Sequence, residues 1–180
     1  MELHSERLVF REIEVDDLDV IHQLHSDWEV DRYGTLGVSK SVDETRKRMI
    51  NMIDSQSEEP RKNYSWKITL KNSDYFIGLA GIILSLDRFN LGEIYYELLP
   101  DFWGKGFGTE VAKKLISSGF DCFNLHRIEA GVATDNVKSI YVLEKCGMLR
   151  EGLRPNILPI RGEWKDSFHY AMVEDDFRNY

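Results

Sequence analysis

The sequence predicts an α/β (α+β) protein in which about four helices flank a mixed, mostly antiparallel sheet of about seven strands. Three features carry this expectation. From Tyr64 to Leu99, apolar and polar residues alternate in three runs joined by short turns at Asn72-Ser73-Asp74 and Asp87-Arg88-Phe89-Asn90, the pattern of an antiparallel meander. The stretch 99–110, Leu-Pro-Asp-Phe-Trp-Gly-Lys-Gly-Phe-Gly-Thr-Glu, then sets Gly104, Gly106 and Gly108 between that last strand and an amphipathic helical pattern. A further strand over 127–132 follows this helix, and a strand reached by a helical crossover runs parallel to the one it left.

A length of 180 residues fits one domain, taken as 1–180. The formal net charge of −8 argues against a general nucleic-acid binder, because neutralising phosphates takes a basic surface, and it suits a cationic partner. No apolar run approaches the ~18 residues of a membrane span, and the N-terminus has no signal-peptide pattern, so the expected setting is cytoplasmic with no membrane partner. Cys122 and Cys146 lack metal-ligand spacing and read as core thiols in a reducing compartment. His22 and His25 lie three apart on a helix with no third ligand, so they read as surface residues and no metal is expected.

Taken in order, Leu8 to Glu12 reads as an opening strand. Asp16 or Asp17 would cap a first helix whose Leu18, Ile21, Leu24 and Trp28 recur at near-helical spacing. Ser41-Val42-Asp43-Glu44 has the form of a capping box and opens a second helix with Val42, Met49 and Ile53 on one face. Between the two, residues 33–37 form a glycine-bearing loop, and the polar stretch 55–63 with Pro60 breaks the chain before the sheet. In the strand over 91–99, Glu93, Tyr95 and Glu97 share one face. Pro100 removes a backbone donor where this strand meets the glycines, so pairing should fail there and leave an edge open. Gly108 would lead into a helix with Val111, Ala112, Leu115, Ile116 and Phe120 inward and Glu110 with Lys114 as an outer i,i+4 pair. Asn136 caps a later helix carrying Ser139, Tyr141 and Leu143, closing at Gly147. Strands over 148–158, which Pro155 and Pro159 would shorten or break, and 167–173 complete the sheet.

The glycine stretch is the chemical centre of this plan. A helix start leaves its first N–H groups without internal partners and carries partial positive charge, and glycine lets the backbone approach an anion closely. The spacing excludes two familiar phosphate motifs: no Gly-x4-Gly-Lys-Ser/Thr string exists, and Gly104, Gly106 and Gly108 do not fit Gly-x-Gly-x-x-Gly.

Nearly the whole chain resembles the GCN5-related N-acetyltransferase (GNAT) superfamily, and within it the RimJ/RimL-type ribosomal-protein alanine acetyltransferases. The resemblance rests on Ser-Glu-Arg-Leu-Val-Phe-Arg at 5–11, Trp-Gly-Lys-Gly-Phe-Gly-Thr-Glu at 103–110, the run from Asn136 to Met148 containing Asn-x-x-Ser, and Gly-Glu-Trp-Lys-Asp at 162–166 before a strand. It implies the GNAT fold, with the sheet splayed between the strands at 91–99 and 127–132, and acetyl-CoA as cosubstrate. The pyrophosphate would lie on the N–H groups of Gly104, Lys105, Gly106, Phe107, Gly108 and Thr109, with Lys105 adding charge and Trp103 heading the motif. The pantetheine arm would run along the open edge as a false strand, and a backbone N–H of Leu98 or Leu99 would polarise the thioester carbonyl.

The resemblance also implies an amine acceptor, a protein N-terminus or a small cationic amine, attacking directly in a ternary complex. Glu93 is the first candidate for the base, matching the position before Ile-Gly-Tyr in the family pattern, and Glu97 the second. Asn136 would contact pantetheine and Ser139 would sit near the departing sulfur. Many superfamily members carry a tyrosine general acid seven residues after that asparagine, where this chain has Leu143; Tyr141 is offset by two, leaving Ser139 or water to protonate the thiolate. A non-catalytic acyl-CoA-binding or regulatory domain is the alternative, and both monomer and homodimer fit the sequence.

Overall fold

The computed structural model describes residues 1–179. Its strands are β1 (Leu3–His4), β2 (Leu8–Glu12), β3 (Asn63–Leu70), β4 (Phe76–Leu84), β5 (Leu91–Leu98), β6 (Arg127–Ala133), β7 (Leu149–Ile160) and β8 (Glu163–Val173). Its helices are α1 (Leu18–His25), α2 (Val42–Asp54), α3 (Phe107–Asp121), α4 (Val137–Lys145) and α5 (Glu174–Asn179). The strands form one sheet in the order β1-β2-β3-β4-β5-β6-β8-β7, antiparallel throughout except where β6 lies parallel to β5. The mixed, mostly antiparallel α/β architecture is thus the expected one. Two elements are additional: β1, a two-residue strand too short to show a period, and the single-turn α5.

The sheet buries both faces. On one, Trp66, Ile68, Ile82, Ile94 and Leu98 pack against Val111, Leu115, Ile116 and Phe120 of α3. On the other, Phe76 and Leu79 meet Ile21, Leu24 and Met49 of α1 and α2. Strand alternation sorts β5 between these cores: Ile94 and Leu98 face α3, whereas Glu97, opposite Leu79 in register, faces α1 and α2 with Glu93 and Tyr95.

Several local expectations change. Trp28 lies beyond the end of α1 and is exposed, with the Arg161 guanidinium over its ring. Asp17 occupies the cap position of α1, but its carboxylate accepts instead from the Glu14 N–H and from Lys67. Ser41 does cap α2, accepting from the Glu44 N–H, while the Glu44 carboxylate takes the Lys40 N–H rather than closing the box. Val42 is exposed, and so is Cys122; only Cys146 is a core thiol. β7 runs past both of its prolines, because it is an edge strand and a register shift between Arg154 and Leu158 absorbs Pro155.

Gly81 on β4 is opposite Tyr95, whose ring covers it and whose hydroxyl shares a 2.6 Å hydrogen bond with Ser65. A Cβ at Gly81 would fall on that ring. Gly81→Ala is therefore expected to displace Tyr95 and destabilise the fold by about 1–3 kcal/mol, read as a lower midpoint in denaturant unfolding.

Candidate active site

β5 stays paired with β4 along its length, from Gly92 to Leu98. Its pairing with β6 covers only Leu91, Gly92 and Glu93 against Arg127, Ile128 and Glu129. Beyond that point, Ala130 to Ala133 pair with β8 alone, so the sheet opens between β5 and β6. The opening begins well before Pro100, which lies outside the ladder in the short 3-10 turn Pro100–Phe102. The edge is thus open as expected, but the departure of β6 toward β8 opens it rather than the proline.

The open edge also assigns backbone donors. The Leu99 N–H donates to the Ile77 carbonyl at 2.9 Å, so it is committed to β4 and does not face the gap. Because successive residues of a strand direct their hydrogen-bonding groups to opposite sides, the N–H groups of Tyr96 and Leu98 face the gap. Trp103 braces this end: its indole N–H donates to the Leu98 carbonyl at 2.8 Å, and the Lys138 ammonium sits 4.3 Å from its ring centre.

Past the 3-10 turn, Gly104 and Gly106 take φ of 70° and 83°, a region that disfavours any side chain. Gly106 is the N-cap of α3, which starts at Phe107 rather than after Gly108. The first internal bond runs from the Glu110 N–H to the Gly106 carbonyl, leaving the N–H groups of Phe107, Gly108 and Thr109 without acceptors in the helix. A Cβ at Gly104 would meet nothing within 4 Å, so the turn is open on its outer side. A Cβ at Gly108 would lie 3.4 Å from Val142 of α4. Glu110 does not pair outward with Lys114 as expected; it is bound by Arg7 and Ser5.

On the face toward α1 and α2 stand Glu93 and Glu97. Glu93 is exposed and extends toward Gly131 of β6. The Glu97 side chain keeps 46% of its accessibility, with His25 beside it and the charges of Asp31 and Arg48 acting on it. Poor hydration, with the Asp31 charge adding to it and the Arg48 charge opposing it, pushes its carboxyl up to about 7. His25 lies 3.9 Å away and is only 8% exposed, so the expected surface histidine is a buried one. Burial lowers its imidazole to about 4, and its Nδ1 has no partner. Arg48 is itself committed, to Glu44 and to the carbonyls of Leu36 and Gly37.

The loop after α1 closes over this face. Tyr33 donates to the Asp135 carbonyl ahead of α4, and Arg161 from the β7–β8 turn donates to the Asp31 carbonyl. Asp31 is 11% exposed, its Oδ2 unpartnered and 4.0 Å from Arg161. Burial raises its carboxyl, an effect that Arg161 and Arg48 oppose.

On the α3 and α4 face, Asn136 caps α4, its Oδ1 accepting the Ser139 N–H at 3.3 Å, which leaves its Nδ2 for any ligand. The Ser139 hydroxyl adjoins that of Tyr96, which is buried and makes no formed hydrogen bond. Burial drives the Tyr96 phenol well above its ordinary range. Sequence reading passed over Tyr96 because it shares a face with core residues; its hydroxyl, adjacent in chain to Glu97, was the available signal. Leu143 is buried, and Tyr141 is 62% exposed and turned away. The Cys146 thiol is pushed up to about 11 by burial and is unsuited to act as a nucleophile. Among the described residues, no cluster of three His, Cys, Asp or Glu side chains is arranged to hold a metal ion.

A splayed sheet with a helix start and its free N–H groups at the head of the opening, and a raised carboxyl on one face, is an arrangement that suits a group-transfer enzyme of the acyltransferase class. Residues 7–149 match the family model described as the Acetyltransferase (GNAT) domain, and the chain belongs to that family of N-acetyltransferases. It is 35% identical, over 97% of each chain, to an uncharacterized N-acetyltransferase, p20, of Bacillus licheniformis. Its fold superposes with a TM-score of 0.83 on an acetyltransferase of the GNAT family from Bacillus anthracis, 29% identical over 97% of this chain and 99% of that one. A spermidine N-acetyltransferase from Vibrio cholerae, solved in complex with CoA and spermine, gives a TM-score of 0.82 at 24% identity, covering 96% and 99%.

Because Glu97 holds its proton more tightly in the native state than in the unfolded chain, stability falls as pH rises from about 4.5 to about 7, and the deficit persists above. Glu97→Gln should therefore gain in melting temperature relative to the parent at about pH 8 compared with about pH 5. Equal differences at the two values would contradict the raised carboxyl.

Proposed function

We propose that the chain transfers the acetyl group of acetyl-CoA to a primary amine, by direct attack within a ternary complex. The observation that carries this reading is the opening along β5, which has free backbone donors on its edge, an anion turn at its head and a raised carboxyl on one face. The donor fits this opening: the glycine turn would take the pyrophosphate on the N–H groups of Gly106 to Thr109, and the N–H groups of Tyr96 and Leu98 would pair with the pantetheine arm. Gly104 and Lys105 would flank the phosphates, and Asn136 Nδ2 would reach the arm. Acetyl-CoA, when bound, supplies an acetyl thioester activated for acyl transfer.

The remaining chemistry belongs to the chain's own groups. Glu97, ionised at and above neutral pH, would accept the proton that the acceptor ammonium must lose before its nitrogen can form the new C–N bond. It is preferred for its raised carboxyl and its place beside the buried His25. The Leu98 N–H would stabilise charge developing on the carbonyl oxygen. As the C–S bond breaks, the attacking nitrogen's second proton would pass to the departing sulfur, with the Ser139 hydroxyl, which adjoins that of Tyr96, relaying it by giving one proton and taking another.

Asp31 and Glu97 favour a cationic acceptor, since two neighbouring carboxyl groups attract an ammonium. The Vibrio cholerae protein binds spermine, which makes polyamines the first acceptors to test. The motifs at 5–11 and 103–110 support the RimJ/RimL branch, which makes N-terminal peptides the second. A cytoplasmic setting suits both acetyl-CoA supply and the exposed free thiol of Cys122.

The deciding assay is thiol release from acetyl-CoA over a panel of polyamines, amino acids and N-terminal peptides. Turnover above the amine-free background is expected; tight acetyl-CoA binding with no turnover across the panel would leave only a binding domain. The pH profile of kcat/KM should rise through about 7, and Glu97→Gln should remove that limb along with most activity, whereas Glu93→Gln should keep it. Gly106→Val should weaken acetyl-CoA binding about tenfold or more, because a β-branched residue disfavours the φ of 83° and would turn N–H groups away from the phosphates.

A further inference from the structure

Arg7 precedes β2 and lies far in sequence from the glycine turn, yet its partners converge there. Its backbone N–H donates to Glu110 Oε1 at 2.7 Å and its Nε to Glu110 Oε2 at 2.6 Å. Its Nη1 donates to the Lys105 carbonyl at 3.3 Å, and the guanidinium plane lies 4.0 Å from the centre of the Phe107 ring. The Ser5 hydroxyl adds a 2.7 Å bond to Glu110 Oε1, and Lys71 holds the segment from behind through the carbonyls of Ser5 and Arg7. The loop between β1 and β2 is thereby fastened to the first turn of α3.

Two physical consequences follow from these bonds. In a trans peptide the C=O and N–H point in opposite directions, so a guanidinium gripping the Lys105 carbonyl directs the Gly106 N–H to the other side of the turn. Glu110, moreover, is a carboxylate within the first turn of α3, the place where a helix attracts anions. Burial would raise this carboxyl, but the bonds from Arg7 and Ser5 outweigh that and hold it ionised and low. Left uncompensated, its charge would oppose a phosphate at the same helix start; the Arg7 fork neutralises it in place.

We propose that Arg7 is a positioning residue of the acyl-donor site, presetting the 104–107 turn for a pyrophosphate by orienting the Lys105–Gly106 peptide and by cancelling the charge of Glu110. The proposal rests on the reading of that turn as the donor's phosphate site. It assigns a functional consequence to an arginine that otherwise ties two elements together.

The test compares two donors that carry the same thioester, acetyl-CoA and S-acetylpantetheine, the second lacking the pyrophosphate. Arg7→Met keeps an apolar stem over Phe107 and removes the fork. It is expected to lower kcat/KM for acetyl-CoA about tenfold, through KM, and to leave kcat/KM for S-acetylpantetheine unchanged. Arg7→Lys, which keeps the charge without the fork, should recover part of the loss, and it carries the same comparison should Arg7→Met not fold. Equal losses with both donors, or no loss with acetyl-CoA, would overturn the proposal and leave Arg7 a structural tie. If the unmodified protein itself shows no preference for acetyl-CoA over S-acetylpantetheine, the phosphate reading of the turn fails instead.

Discussion

The structure depends on a ladder that stops. β5 and β6 share hydrogen bonds over three residues at one end and none beyond, so backbone groups that a sheet would ordinarily consume face a gap. Unpaired backbone donors and acceptors need partners, and an edge of this kind is a ready surface for an extended ligand. Everything proposed for the site lies along that interval. The glycine turn stands at its head, Glu97 on one face and Tyr96 with Ser139 on the other. Neighbouring residues of one strand thus put a base candidate and a hydroxyl pair on opposite sides of the same opening.

Keeping such a gap open requires bracing at its rims, and the braces come from distant parts of the chain. Trp103 ties the turn back to the Leu98 carbonyl, Tyr33 reaches across to the carbonyl of Asp135, and Arg161 joins the β7–β8 turn to Asp31. Arg7 and Ser5 fix the start of α3 from the loop between β1 and β2. These are side chain to backbone or charge-assisted bonds, directional enough to hold position where no continuous ladder does so.

The raised carboxyl of Glu97 illustrates how little local sequence constrains a proton affinity. Glu93 and Glu97 have the same residue type, strand and face. Glu97 stands beside the buried His25 and feels the charges of Asp31 and of an Arg48 already engaged by Glu44, and burial of its carboxyl raises it. Family pattern alone ranked Glu93 first, because a pattern records position and not hydration.

Legibility in the sequence followed the range of the interactions. Periodicity marked the meander, α3 and α4, since amphipathic alternation is written in each element's own residues, and the glycine spacing marked the turn because positive φ is a local demand. The capping role of Asn136 and the parallel run of β6 were legible for the same reason. Other features depended on residues far apart in the chain: the burial of His25, the capture of Glu110 by Arg7 in place of Lys114, the commitment of the Leu99 N–H to Ile77, and the hydroxyl of Tyr96 beside Ser139. The sequence by itself determined the fold class, the crossover and the glycine turn, all set by short-range stereochemistry and hydrophobic period. Tertiary structure alone decided where the sheet opens, which carboxylate is raised and what holds the turn, because hydration and long-range hydrogen bonds exist only once separate elements are packed together.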